Sequence, residues 1–84
     1  MNGDARPKRT REVERCLTQA GFRGAWLLKG PGYFCFEGEP TADWIDHTVE
    51  VPFLADLTIG QWLATFRAMD ANPANRKSVR ASRP

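Results

Sequence analysis

His47 is the only histidine of the chain, and it stands directly after Asp46. An imidazole held by a carboxylate can move protons at neutral pH. The two residues open an expected strand, however, and neighbouring strand residues point to opposite faces. The pair therefore reads as a partly exposed surface histidine beside a solvated acid. Glu37 with Glu39, and Asp43 with Asp46, are the carboxylate pairs that a hard cation would use. Calcium loops need more oxygen ligands on a constrained turn, and no EF-hand spacing occurs.

Cys16 and Cys35 are too few for a disulfide scaffold. Cys16 falls on the apolar side of an expected helix, and Cys35 lies between Phe34 and Phe36. Both read as small buried hydrophobes, with a single disulfide as the alternative. A tetrahedral zinc site would need two further ligands, and only His47 is on offer. Gly30, Pro31 and Gly32 lack the following helix and the lysine of a phosphate-binding loop, so they read as a turn. Tyr33, Phe34 and Phe36 could stack bases on a sheet, but no cation interleaves them and Phe34 and Phe36 share the face that a core requires. No catalytic residue, metal or cofactor is expected, and the chain reads as non-enzymatic.

Charge is the stronger signal. Between Gly30 and Phe66 lie Glu37, Glu39, Asp43, Asp46, Glu50 and Asp56 with no lysine or arginine, although the whole chain carries a formal +2. Arg76, Lys77, Arg80 and Arg83 end the chain without an acid, and Arg6, Lys8 and Arg9 stand near its start. Such a split speaks to partners and association rates rather than to fold.

These residues must be positioned by a small scaffold. Eighty-four residues make one domain at most, one that buries only roughly 60% of its unfolded surface. A large enclosed active site is not expected. The 42% hydrophobic content, with three Trp and five Phe, is that of a folded chain. The N-terminus has no apolar leader, and no run approaches the ~20 apolar residues of a membrane span. A soluble, cytoplasmic protein with no membrane contact is expected.

Residues 1–9, polar and broken by Pro7, read as a flexible arm. Thr10 is the expected N-cap of a helix whose Val13, Cys16, Leu17 and Ala20 share one face. Gly21 ends it, with Phe22 folding back. Residues 25–29 and Tyr33–Glu37 read as a hairpin about Gly30, Pro31 and Gly32. A polar connection, 38–47, carries Trp44. A third strand is expected over 48–53, with Val49, Val51 and Phe53 on one face and Pro52 at a sheet end or edge. Thr58 and Gln61 form a capping box inside the staple of Leu57 and Trp62. The helix they start has Ile59, Trp62, Leu63 and Phe66 in its stripe and stops before Pro73. The expected fold class is α+β, a two-layer α-β-β-β-α domain over 10–71 with a three-stranded antiparallel sheet packed by two helices. Residues 72–84 read as a basic, disordered tail.

This element order, with a Val-Glu-Val-Pro strand before the last helix, resembles the double-stranded-RNA-binding-like fold of the HicA toxin ribonucleases over residues 10–69. In that family a histidine following a glycine early in the second strand cleaves RNA. Here the corresponding stretch is Gly30, Pro31, Gly32 and Tyr33, so the resemblance extends to fold and carries no activity. The runs GPGYFCFEG (30–38) and VEVPFLADLTIGQWL (49–63), with Trp44, are also similar to short accessory proteins of phages, plasmids and other mobile elements. That resemblance implies an accessory role in mobile DNA, of which inhibition of host defence is one form.

Two function classes follow. The first is an interaction protein that binds a basic protein surface through Glu37, Glu39, Asp43, Asp46 and Glu50, with Trp44 as an exposed aromatic anchor. An inhibitor occupying the nucleic-acid channel of a CRISPR nuclease is its concrete form. The second is a nucleic-acid-binding module that neutralises phosphates with Arg6, Lys8, Arg9, Arg76, Lys77, Arg80 and Arg83. The number of aromatic residues leaves room for a homodimer that buries an extra face.

Overall fold

The computed structural model describes residues 3–77, and they follow the order expected from the sequence. Helix α1 (Thr10–Gln19) precedes strands β1 (Trp26–Gly30), β2 (Tyr33–Glu37) and β3 (Thr48–Val49), and helix α2 (Ile59–Ala71) follows them. The strands form one antiparallel sheet in the order β1-β2-β3. Both helices lie on one face of it, which makes two layers, α+β. No helix of the described residues is long and apolar enough to cross a membrane.

Each element has a local cause. α1 buries Val13 and Leu17 and ends in a Schellman arrangement. Phe22 N–H donates to the Leu17 carbonyl and Gly21 N–H to that of Thr18, with Gly21 at φ 103°. Phe22 then packs at a tilt against Phe66, centroids 4.6 Å apart. The N-cap is Arg9 rather than Thr10, because Glu12 reaches back to take the Lys8 N–H and draws the first turn one residue earlier. α2 starts as expected, with Thr58 and Gln61 each accepting the other's backbone N–H.

The β1–β2 hairpin turns through Pro31 and Gly32. Proline cannot take the positive φ that both primed turns require at this position, and Gly32 at φ 82° fits the third residue of a type II turn. The register sets Leu27 opposite Phe36 and Lys29 opposite Phe34 on the helix side. Phe36 sits at the centre of the core, edge-on to Trp44, Trp62 and Phe66 at 5.0–6.1 Å.

The edge of β1 is closed by a side chain. Leu27 N–H points away from β2 and donates to Glu14 Oε2 at 2.9 Å, which denies that amide to a foreign strand. Glu14→Ala should cost about 1–3 kcal/mol by stranding a partly buried donor. Glu14→Gln, which keeps an acceptor, should cost less. Urea midpoints of the two variants check the order.

Three expectations change. β3 stops at Val49: Val51 N–H bends back to the Val49 carbonyl, and Pro52 offers no donor. Phe53 is consequently exposed rather than on the core face. Residues 3–9 are not a loose arm but part of the domain. The Gly3 and Ala5 carbonyls accept the Gly60 and Ile59 N–H groups, both at 2.8 Å, so the arm satisfies α2's orphan N-terminal donors while Pro7 is buried. The domain likewise runs past residue 71. Pro73–Asn75 forms a 3-10 turn, and buried Asn75 holds the connection through Asp46 N–H, the Asp46 carbonyl and Ile45 N–H.

Candidate interaction face

The helices cover one face of the sheet and leave the other open. Residues paired across an antiparallel ladder share a face, so Trp26 stands with Glu37, Leu28 with Cys35 and Thr48, and Gly30 with Tyr33. Phe36 N–H donates to the His47 carbonyl, which carries the β2–β3 register one residue beyond the ladder. Asp46 and Glu50, both exposed, adjoin the two ends of β3. Trp26 and Leu28 are 50% and 45% exposed, and the open face contains no lysine or arginine. It is an apolar strip along β1 bordered by Glu37, Asp46 and Glu50.

Two glycines shape this face. Any Cβ on Gly30 would collide with the Tyr33 ring, so that ring packs directly over Gly30. Gly38 ends β2 against the Gly24 carbonyl and the Trp26 indole.

The other residues singled out from the sequence lie elsewhere. Trp44 is not a surface anchor: it is fully buried. Its rings meet those of Phe36, Phe66 and His47, and its Nε1 donates to Asp70 Oδ1 at 3.2 Å. The neighbouring carboxylates had suggested exposure, but a buried indole needs only one acceptor, and Asp70 on α2 supplies it. Glu39 and Asp43 lie off the sheet on the 38–47 connection. Asp43 Oδ2 is 3.9 Å from Arg76 Nη1, and its carbonyl accepts the Lys77 N–H. Asp46 Oδ1 accepts the Thr48 N–H at the mouth of β3.

The basic set is also divided. Arg76 Nη2 binds the Asp70 carboxylate and carbonyl, both at 2.6 Å, and Arg6 Nη1 binds the Ala55 carbonyl at 2.7 Å. These two cations serve the fold. Lys8, Arg9 and Lys77 are exposed, while Arg80 and Arg83 lie outside the described residues.

Both ring nitrogens of His47 face carbonyl oxygens, Phe36 O at 2.9 Å and Trp44 O at 3.2 Å. The ring is a crosspiece between the connection and β2, and it does not face Asp46 as a dyad would. Among the described residues, no three of His, Cys, Asp and Glu converge to hold a metal. Cys16 and Cys35 are free thiols, half-buried, with Cys35 Sγ 3.8 Å from Thr48 Oγ1.

Fold and site together define a small two-layer α+β domain that offers an open, acid-bordered sheet face. Comparison with family models, with curated proteins and with solved structures finds no match to the chain.

Proposed function

We propose that the chain is a non-enzymatic interaction protein that docks a basic protein surface on the open sheet face. The observation that carries this reading is Trp26. A half-exposed indole on a rigid strand, directly opposite Glu37 and beside Leu28, is the kind of residue from which interfaces draw most of their affinity. The carboxylates around it select a partner rich in Arg or Lys, whose guanidinium or ammonium groups can lie over the indole and pair with Glu37.

A second copy of the chain fits this face poorly. In a two-fold interface the face meets itself, which would bring one acid-bordered face against another with no lysine or arginine between them. The resemblance to accessory proteins of mobile elements favours a specific form of the reading. In that form the domain is an inhibitor of host defence, seated on the basic channel in which a nuclease holds nucleic acid.

Capture of host proteins by the tagged full chain at low and high salt tests the proposal. Trp26→Ala should weaken the captured complex by about 2 kcal/mol, roughly thirtyfold in Kd, while leaving the melting temperature near wild type. Glu37→Lys with Glu50→Lys should abolish the salt-sensitive part of capture. Glu39→Lys with Asp43→Lys, off the sheet, should change it little. Capture that survives Trp26→Ala undiminished overturns the reading.

A further inference from the structure

The two sides of the domain carry opposite charge. On α1 the exposed positions are Arg11, Arg15, Thr18 and Gln19; on α2 they are Gln61, Ala64, Arg67, Ala68 and Ala71. Three arginines therefore face solvent from the helix layer, with no exposed carboxylate among those positions. Exposed Lys8 and Arg9 stand immediately before α1.

Local acids offset this charge only in part, Glu12 and Glu14 standing against Lys8, Arg9, Arg11, Arg15 and Arg67. Glu12 takes the Lys8 N–H at 3.1 Å and Glu14 takes the Leu27 N–H at 2.9 Å, so both helix carboxylates serve backbone amides. Neither forms an ion pair with Arg11 or Arg15, and Asp70 on α2 is held by Arg76 and Trp44. Arg11 and Arg15, four residues apart, project from one side of α1 about 6 Å apart along its axis.

We infer that this helix face is a second binding surface, one that contacts the phosphate backbone of nucleic acid without reading sequence. The choice of ligand follows from what the surface lacks. The large exposed hydrophobic residues are Trp26, Leu28, Ile45 and Phe53, and none lies on either helix. A protein partner would find no apolar anchor there, and a membrane would find no side chain to insert. Charge alone must supply the affinity, as it does when Lys and Arg neutralise phosphates and release counterions. The surface is centred on Arg11, Arg15 and Arg67 with Lys8 and Arg9, rather than on the chain ends. It is separate from the sheet face and stands or falls independently of it.

Fluorescence anisotropy of a short labelled duplex of random sequence, titrated with the full chain between about 50 and 200 mM salt, tests the inference. The wild type should bind weakly, with affinity falling steeply as salt rises. Arg11→Gln with Arg15→Gln keeps helix propensity and should reduce the slope of log K against log salt by about two, one contact per arginine. Arg80→Gln with Arg83→Gln should alter the slope less. If the double helix variant melts early, the single variants Lys8→Gln and Arg67→Gln carry the same test, each expected to lower the slope by about one. The inference is overturned if the wild type fails to bind at the lower salt, or if the helix variants keep the wild-type slope. It is also overturned if the whole effect moves to Arg80 and Arg83, or if anionic lipid vesicles capture the chain while the duplex does not.

Discussion

Trp44→Ala should destabilise the domain by roughly 3–5 kcal/mol and lower its melting temperature by roughly 15–30 °C. The side chain is fully buried, and its removal empties a space bordered by Phe36, Phe66 and His47. Helix packing closes such a cavity only in part, because Phe36 is already edge-on to Trp62 and Phe66 and cannot follow the lost ring without breaking those contacts. The change also deprives Asp70 of the indole N–H and loosens the connection from α2. For a domain whose total stability is on the order of 5–10 kcal/mol, that is roughly a third of the margin at the least. Trp44→Phe, which keeps most of the ring and loses the N–H, should cost about 1–2 kcal/mol. Trp26→Ala should stay within about 1 kcal/mol of wild type, since that indole is half-exposed. Thermal melts of the three variants check the order. A Trp44→Ala protein that melts with the wild type would place the indole at the surface after all.

The contrast between those two tryptophans shows what the sequence made legible. α1 and α2 could be read from local signals alone. A helical stripe and a stopping glycine mark α1, and a reciprocal Thr58 and Gln61 cap marks α2. The two-strand hairpin was readable from Pro31 and Gly32. What the sequence concealed was set by contacts distant along the chain. Trp44 has Asp43, Ile45 and Asp46 as neighbours, and nothing local says that Asp70, 26 residues on, will accept its N–H. The ends of the domain were misread for the same reason. Gly3 and Ala5 look like loose chain until the unpaired amides of α2 give them donors, and Asn75 looks like tail until its amide bridges to Asp46.

Trp26 was missed for a different reason. Ala25, Trp26, Leu27 and Leu28 are all apolar, so β1 has no alternation to announce which side faces water. The signal was present one step removed. A two-residue turn puts Gly30 opposite Tyr33, and counting back from there sets Leu27 against core Phe36 and Trp26 against Glu37. The acidic cluster was likewise half legible. Glu37 lies on β2 and Asp46 and Glu50 adjoin the ends of its partner β3, whereas Glu39 and Asp43 lie on the connection off the sheet.

Gly38→Ala should cost at least about 3 kcal/mol, far more than its single methyl would suggest. Gly38 has φ 111° and ψ 179°, a region that residues with a Cβ essentially do not enter, and occupying it costs about 1–3 kcal/mol. The backbone of Gly24 adds a second penalty, because its carbonyl oxygen occupies the space a Cβ would need, with Trp26 Cδ1 2.8 Å from the same point. A flexible side-chain tip could yield, but a carbonyl cannot without moving the entry to β1. Nor can Gly38 swing away, because its own carbonyl accepts both the N–H and the Oγ1 hydroxyl of buried Thr41. Gly32→Ala provides the control. It too has a positive φ, 82°, but nothing lies within 4 Å of its would-be Cβ, so only the conformational cost of about 1 kcal/mol applies. Urea midpoints should therefore separate the two variants widely, and equal midpoints would show that the Gly24 carbonyl gives way. The steric term reaches the interaction face as well. A Gly38→Ala chain that still folds must shift Trp26, so its partner capture should fall with its stability, whereas Gly32→Ala should lose a little stability and no capture.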